Sequence, residues 1–307
     1  MSGIVVAGAT FVDIKGFPER AYIPTGRNVG RVEYVHGGVT RNVSEDIANV
    51  GVKSTFLSVV DNTGLGKEVV ERLSEKGVCT DYISKKDQGM GTWLVVFDEN
   101  GDVAGSVSQR PDLGQIDDVL DKHGDEIFAD CDSMIIEMDM IESTVSKMID
   151  YAKKYNKKAF GIVSNIGLVL ERREYVQELE CFVCNQQEAS MFFTKEIEHL
   201  NMADLEVAIK DAIIAANIKS MVVTAGAEGA VWATRDGKSG FIPARKVNVK
   251  DTTGAGDSFC AGVSVGLTYG KSLAEAVEIG TKLAASVIVT KENVCPFFEP
   301  KELGIEL

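Results

Sequence analysis

Hydrophobic and polar positions follow two different periods along the chain, and segments of the two kinds alternate. Short apolar runs predict buried strands, and they lie at residues 4–9, 55–60, 134–138, 159–163, 182–183 and 221–224. Apolar positions that recur every three to four residues predict helices, and they lie at residues 42–50, 64–76, 142–155, 203–216, 255–267 and 273–289. Alternation of this kind is typical of a mostly parallel sheet between two layers of helices. We therefore predict a three-layer α/β fold.

Two segments do not fit this alternation. Residues 14–36 contain several glycines and prolines between short alternating pieces, and residues 89–111 contain two extended runs around Glu99-Asn100-Gly101, a hairpin turn signal. Both segments predict strands that stand away from the core as a small β lid. Because no linker interrupts the remaining pattern, we expect residues 1–307 to form a single domain with this lid as an appendage.

The charge balance excludes two classes of partner. The 307 residues include 32 basic and 46 acidic side chains, so the net charge at neutral pH is −14. Such a surface repels phosphate backbones and anionic lipids, and we expect no nucleic acid and no membrane partner. No apolar stretch has the length of a membrane span, and the first residues lack the basic region of a signal peptide.

The six cysteines are scattered over a chain that is too large to need disulfides for stability. Cys181 and Cys184 are separated by two residues, but they lie inside an apolar run and have no second pair or histidine nearby. We interpret them as core thiols and not as a metal or redox site. Reduced thiols predict a cytoplasmic protein.

The most informative segment is Asp251-Thr252-Thr253-Gly254-Ala255-Gly256-Asp257-Ser258-Phe259. Val247 and Val249 alternate with polar residues before it and predict a strand, while a helix is predicted after it. The glycines would then lie beside the unpaired amides at the positive end of a helix dipole, where an anion can approach closely. We favour an anion site with the Asp257 carboxylate beside it over a simple capped helix after a tight turn.

This segment resembles the C-terminal signature of the ribokinase-like carbohydrate kinases, the PfkB family. A second element of that family matches Gly37-Gly38-Val39-Thr40-Arg41-Asn42, which is followed by a predicted helix that ends at Gly51. The resemblance covers essentially the whole chain in the family's order. It implies a ribokinase-like fold and a kinase that transfers the terminal phosphate of ATP to a hydroxyl group of a sugar or nucleoside.

The resemblance also implies a role for each matching residue on the acceptor side. Asp257 matches the family's catalytic base, which takes the proton from the attacking hydroxyl group. The amides that match the family's anion hole belong to Gly254, Ala255, Gly256 and Asp257 itself. The residues that match the sugar-binding positions are Asp13, Gly37, Gly38 and Asn42.

On the donor side, the resemblance implies a nucleotide site and a Mg²⁺ site. Thr224, Gly226 and Gly229 match the family's Thr-x-Gly-x-x-Gly element at the nucleotide. Asn185 and Glu188 match its Asn-x-x-Glu element, and the resemblance implies that they hold Mg²⁺ through water and that Asn185 contacts the nucleotide. Taken alone, Asn185 and Glu188 could equally be a strand end and a helix cap, and the two glycines a hairpin turn.

One segment departs from the family. Many relatives have Gly-Ala after the last long helix, whereas this chain has Lys291-Glu292-Asn293-Val294-Cys295-Pro296. In some members that segment helps to form a site for a monovalent cation, to which Asp251 and Thr253 would contribute. The resemblance therefore names K⁺ as a further ion, and the departure leaves its presence open.

Within the family, residues 12–16 and 30–42 are most similar to pseudouridine kinases, which predicts the 5′-hydroxyl group of pseudouridine as the acceptor. Residues 106–112 depart from that group where a base would lie. Two alternatives remain: a kinase of another nucleoside or a free sugar such as ribose or fructose, and a non-catalytic binding protein on the same scaffold. Because an exposed sheet invites pairing, we also predict a homodimer that forms through the lid.

Overall fold

A computed structural model describes residues 3–307, which contain fourteen strands and ten α-helices. The strands are β1 Ile4–Ala7, β2 Phe11–Pro18, β3 Gly30–Gly37, β4 Ser54–Val60, β5 Val78–Cys79, β6 Ile83–Lys85, β7 Gly91–Phe97, β8 Val103–Gln109, β9 Ser133–Glu137, β10 Lys158–Ile162, β11 Cys181–Asn185, β12 Ser220–Thr224, β13 Gly229–Thr234 and β14 Ser239–Pro243. The helices are α1 Val39–Asn49, α2 Gly64–Glu75, α3 Gln115–Ala129, α4 Glu142–Tyr155, α5 Ile166–Val169, α6 Glu174–Gln177, α7 Gln186–Phe193, α8 Met202–Ala215, α9 Ala255–Thr268 and α10 Leu273–Val287.

The main sheet has ten strands in the order β14-β13-β12-β11-β10-β9-β1-β4-β5, with β6 also paired to β4. Every neighbouring pair among β12, β11, β10, β9, β1, β4, β5 and β6 is parallel. The only antiparallel pairs of this sheet, β12 with β13 and β13 with β14, lie at one edge. The prediction of a mostly parallel sheet is therefore confirmed.

The two faces of the sheet carry separate hydrophobic cores. Along β1, Val5 and Ala7 point into the core formed with α3, α4, α7 and α8, whereas Ile4 and Val6 point into the core formed with α1, α2, α9 and α10. Alternate residues of a strand point to opposite faces, so a strand covered on both sides is apolar throughout. This explains why short apolar runs located the parallel strands, and it confirms the three-layer α/β fold.

The lid is a separate four-stranded sheet in the order β3-β2-β7-β8. Strands β2 and β7 are parallel, and the two outer pairs are antiparallel. The β strands expected in the segments around 14–36 and 89–111 are present, and β2 begins three residues earlier than predicted, at Phe11. Asp13 consequently lies within a lid strand.

One predicted strand is wrong. Val247 and Val249 lie in an irregular segment between β14 and α9, and their side chains are 38% and 58% exposed. Alternation makes a strand only where a neighbouring strand can pair with it, and here the sheet already ends at β14. Helix α3 and the edge strands β13 and β14 were not predicted, although Ile116, Leu120 and Ile127 of α3 are buried at helical spacing.

No helix within the described residues is long and apolar enough to cross a membrane. All six cysteines lie in the described range and none forms a disulfide. Cys181 and Cys184 are both buried in strand β11, which confirms their interpretation as core thiols. Burial also raises the pKa of each thiol, so both remain protonated.

Candidate active site

Two cavities lie on either side of the segment 252–257, at the start of α9. A cavity of about 490 Å³ is lined by Thr252, Ala255 and Gly256 of this segment, and we call it the donor pocket. A cavity of about 570 Å³ is lined by Thr253 and Asp257, and we call it the acceptor pocket. A single short segment at the start of α9 therefore lines both cavities, and it contributes Asp257 to the acceptor pocket.

The shape of this loop depends on two glycines in different ways. Gly254 caps α9 in a left-handed conformation with φ of 79°, and a β-carbon there would overlap the carbonyl oxygen of Asn293. Gly256 has open space where a side chain would begin. The first glycine is needed for the turn, and the second leaves the helix amides accessible to an anion.

The Asp257 carboxylate lies in the first turn of α9 and is held from α1. The side-chain amide of Asn42 donates a hydrogen bond of 2.8 Å to Asp257 Oδ2. The pKa of Asp257 is raised to about 7. Burial is the largest cause and the charge of Glu188 adds to it, whereas the Asn42 hydrogen bond and the charge of Arg41 oppose the rise. A carboxylate with a pKa close to neutrality can accept a proton from a hydroxyl group and release it again.

All four residues expected to bind the acceptor line the acceptor pocket: Asp13, Gly37, Gly38 and Asn42. Gly38 precedes α1 with φ of 103°, and a side chain there would collide with the backbone of residues 9–11. Helix α1 consequently begins at Val39, three residues before its predicted start at Asn42, and Asn42 lies at the end of its first turn. Burial also raises the pKa of Asp13, with an opposing contribution from Lys15.

The sequence analysis missed two carboxylates in the acceptor pocket, Glu137 and Asp139. Glu137 accepts hydrogen bonds from the Ala9 amide at 2.7 Å and the Thr40 hydroxyl group at 2.6 Å. Burial raises the pKa of Glu137, and the neighbouring Asp139 adds to the shift. The available signal was a carboxylate directly after the apolar run Met134-Ile135-Ile136 of a buried strand, because ligands of such sheets bind at the carboxyl ends of the strands.

The donor pocket contains all three residues expected at the nucleotide, Thr224, Gly226 and Gly229. They lie at the tight connection from β12 to the antiparallel β13, so the hairpin interpretation also describes them. Gly226 has φ of 56° and no atom near the position of a β-carbon. Much of the remaining lining is apolar and includes Phe259, Ala284, Ala285 and Ile288, which is a surface suited to a flat base.

Asn185 and Glu188 form a reciprocal helix cap at the start of α7. Asn185 Oδ1 accepts from the Glu188 amide at 2.8 Å, and Glu188 Oε2 accepts from the Asn185 amide at 2.7 Å. The interpretation as a strand end and a helix cap is therefore confirmed. Neither residue lines the two cavities, although Glu188 is close enough to Asp257 to raise the pKa of that carboxyl group.

No group of three or more acidic, histidine or cysteine side chains in residues 3–307 is arranged to hold a metal ion. Asp251 Oδ1 accepts hydrogen bonds from both the Thr253 amide and the Thr253 hydroxyl group, at 2.9 and 2.8 Å. Partial burial opposes ionisation of Asp251, but these hydrogen bonds, together with the charge of Lys15 and the Thr252 amide, lower its pKa. The pair forms a local turn, and its part in a K⁺ site stays a prediction.

Comparison with known proteins assigns the chain to a family. The sequence pattern of the pfkB family carbohydrate kinases matches residues 1–301. A guanosine-inosine kinase of Exiguobacterium acetylicum is 33% identical over 302 residues, which are 95% of this chain and 96% of that protein. The pseudouridine kinase of Escherichia coli is 23% identical over 281 residues, which are 89% of this chain and 86% of that protein. The structure of Arabidopsis thaliana ribokinase with ribose and ATP has a TM-score of 0.84 at 19% identity, and the match covers 99% of this chain and 98% of that chain. The chain belongs to the PfkB family of carbohydrate kinases, phosphotransferases whose acceptor is an alcohol group.

Proposed function

We propose that this kinase uses ATP to phosphorylate the 5′-hydroxyl group of a nucleoside. The observation that carries the proposal is the mixed lining of the acceptor pocket. Beside Asp257 and the polar residues near it, the pocket has apolar lining residues from other elements: Phe11, Leu113, Met140, Ile141 and Leu168. A free sugar is polar over most of its surface, so it buries less apolar area against such a wall than the flat face of a base does. A volume of about 570 Å³ also suits a ligand of nucleoside size.

In this proposal, the residues around Asp257 divide the work of phosphoryl transfer. Asp13 and Asn42 pair with the ribose hydroxyl groups and direct the 5′-hydroxyl group at Asp257, which orients the encounter. As the 5′-oxygen bonds to the γ-phosphorus and the bond to the β–γ bridging oxygen breaks, Asp257 takes the hydroxyl proton and ADP leaves. The amides of residues 254–257 donate to the oxygens of the transferring group.

The proposed Mg²⁺ site is consistent with the atoms that the cap of α7 leaves free. The Asn185 amide engages Glu188 Oε2, and no hydrogen bond occupies the other carboxylate oxygen within the described structure. A hard carboxylate oxygen suits a Mg²⁺ ion that keeps most of its water. When bound, the ion would neutralise charge on the phosphates of ATP.

Guanosine and inosine are the first candidate acceptors, because the guanosine-inosine kinase covers nearly the whole chain. A structural feature agrees with this choice. Arg110, directly after β8, is the one basic residue among the described residues that line the acceptor pocket, and it has no hydrogen bond or ion pair within residues 3–307. A guanidinium group can donate two parallel hydrogen bonds to O6 and N7 of a 6-oxopurine, and in adenine the 6-amino group replaces that acceptor.

Pseudouridine is the second candidate, and the match of residues 12–16 and 30–42 to pseudouridine kinases motivates it. Its glycosidic bond is to carbon, so its base offers an N–H group that uridine lacks. A lid group paired with this N–H would lose its partner with uridine, at a cost of about 1–3 kcal/mol. Pseudouridine would then exceed uridine by roughly tenfold or more in kcat/KM.

A coupled ADP-release assay against nucleosides and free sugars tests the proposed acceptor class. We expect inosine and guanosine to be preferred over adenosine, ribose and fructose. Arg110→Gln should lower kcat/KM for inosine by about tenfold or more and raise the relative rate with adenosine, because an amide pairs with N6 and N7 of adenine. The matched control is Arg27→Gln, which removes an exposed lid arginine that does not line the pocket.

Each outcome of that panel has a defined meaning. Preference for pseudouridine over inosine would select the second candidate and leave the nucleoside class intact. Preference for ribose or fructose would overturn the nucleoside proposal, although the chain would remain a kinase of its family. Equal effects of the Arg110 and Arg27 substitutions on the inosine-to-adenosine ratio would remove Arg110 from base recognition.

Further sequence predictions carry over as proposals. We propose a single domain over residues 1–307, a cytoplasmic location, and no nucleic acid or membrane partner, on the basis of the uninterrupted pattern, the unpaired thiols and the net charge of −14. We also keep K⁺ as a proposed ion at Asp251 and Thr253. Its support is the adjacent pair of oxygen-bearing side chains beside the segment 254–257.

A further inference from the structure

A buried arginine lies directly behind the candidate catalytic base. Arg41 is fully buried in α1, and its Nη1 donates a hydrogen bond of 2.9 Å to Asn42 Oδ1. The amide nitrogen of the same Asn42 side chain donates to Asp257 Oδ2 at 2.8 Å. Because the oxygen end of the amide is held by a group that can only donate, the NH₂ end must face the carboxylate.

Arg41 is itself held from the opposite side. Its Nη2 forms an ion pair with the buried Glu45, one turn further along α1. Arg72 of α2 donates to the same carboxylate from Nε at 3.1 Å and from Nη2 at 3.0 Å. Arg72 Nη2 also reaches Glu292, near the C-terminus, at 3.3 Å. A buried guanidinium group without such a partner would be strongly destabilising, so Glu45 and Arg72 fix Arg41 in place.

We propose that Arg41 is a positioning residue for Asp257, which fixes the orientation of the Asn42 amide and supplies the nearby positive charge that favours the ionised carboxylate. This inference rests on the proposed role of Asp257 as the base. It assigns a function to Arg41, Glu45 and Arg72, none of which lines the acceptor pocket.

The charged groups around Asp257 make this contribution measurable. The positive charge of Arg41 in α1 lowers the pKa of Asp257, and the negative charge of Glu188 in α7 raises it. Asp46 of α1 also interacts with Asp257, and so does Cys260 of α9. The other acidic groups that line the same pocket are Asp13, Glu137 and Asp139. Arg110 also lines this pocket. Acidic groups therefore outnumber the two cations, Arg41 and Arg110, and loss of Arg41 leaves the carboxylate among a larger excess of like charges.

The experiment compares the pH dependence of kcat/KM, since its acidic limb reports the base of the free enzyme. In the wild-type enzyme this limb should lie near the Asp257 pKa of about 7. Arg41→Met should move the limb to higher pH by about half a unit or more, because an adjacent positive charge is lost. Glu45→Gln leaves Arg41 charged but removes its counter-charge, and it should move the limb to lower pH.

Ser44→Ala is the matched control for general destabilisation. Ser44 is fully buried in the same helix and pairs with Ser54 at 2.7 Å, outside the network of Arg41. We expect this variant to keep the wild-type limb even if its melting temperature falls. If Arg41→Met does not fold, the direction of the Glu45→Gln shift decides the question alone.

Two results would overturn the proposal. One is a uniform loss of activity in the variants with an unchanged limb, since that would show a purely structural role. The other is a shift of the acidic limb in the same direction in Arg41→Met and in Glu45→Gln. Full activity of Asp257→Asn would instead refute the base assignment, so the failure of the proposed function and the failure of this inference are distinguishable.

Discussion

At the scale of single residues, the Asp257 carboxylate combines a raised pKa with one well-placed donor. Replacement by asparagine keeps the size of the side chain but removes its capacity to take a proton. We expect Asp257→Asn to lower kcat by about 10²–10⁴-fold, the usual contribution of a positioned general base. Steady-state ADP release checks the rate, and calorimetric titration with ADP checks that the donor pocket is intact.

The fold of that variant should be preserved. Burial raises the pKa of Asp257 to about 7, so the ionised form is disfavoured in the folded protein and a neutral amide should not lower the melting temperature at pH 8. Activity within a few fold of wild type, with normal ADP binding, would show that another group accepts the proton.

The candidate residues that could be read from sequence were those within short local motifs. In the segment 251–259 and at the glycines before α1, residues adjacent in sequence determine the shape of the backbone. Residues of both segments line the acceptor pocket. Glu137 and Arg41 could not be assigned in this way. Their environment depends on contacts across more than 90 residues for Glu137 and on burial between two helices for Arg41.

At the scale of elements, the lid sheet forms part of the wall of the acceptor pocket. Asp13 of β2 and Ser108 of β8 line the pocket, and both pair with Trp93 of β7, so they lie on one face of the lid. A bound acceptor would therefore contact the lid and the main body together.

Hydrogen exchange in the lid should slow when a nucleoside binds. We expect protection in the segments around 14–36 and 89–111, since closure of the lid would exclude water that could otherwise accept the phosphate. The edge hairpin at 229–243 serves as an internal reference and should be unchanged with nucleoside alone. Equal exchange in the lid with and without an accepted nucleoside, measured by mass spectrometry, would show that the lid is static.

A helix or strand was predictable where its own burial determined the pattern of apolar and polar residues along it. Strands of the parallel sheet are buried on both faces and appear as apolar runs, and α4 was predicted with its observed bounds. The segment with Val247 and Val249 shows the limit. Its alternating valines follow a strand pattern, but they line the donor pocket and have no strand to pair with.

At the scale of the whole molecule, the outer face of the lid is a candidate surface for self-association. Tyr34, Ile14, Leu94 and Val107 are directly paired across the four strands and so share the face opposite Asp13. Tyr34, Leu94 and Val107 are 58%, 44% and 70% exposed. Because a row of exposed apolar residues on a small sheet favours pairing with a second copy, we propose the lid as the surface of a homodimer.

The dimer is tested by placing a charge in that row. We expect the wild-type chain to be dimeric at micromolar concentration and Val107→Lys to be monomeric, because a lysine would be desolvated at the interface. Val207→Lys is the matched control, since Val207 is 52% exposed on α8, away from the lid. Light scattering that gives a monomer for wild type, or equal dissociation of both variants, would contradict the proposal.

The division of the site into two cavities has a consequence for the divergence of such enzymes. Most of the acceptor pocket is built from residues before position 170, and the donor pocket is built from residues after position 220, with the loop at 252–257 between them. Substitutions in the first half of a gene can therefore change the acceptor while the second half retains the chemistry of the phosphate donor. Selection can act on the two halves separately, and relatives named for guanosine-inosine and for pseudouridine are the kind of lineage that this separation would produce.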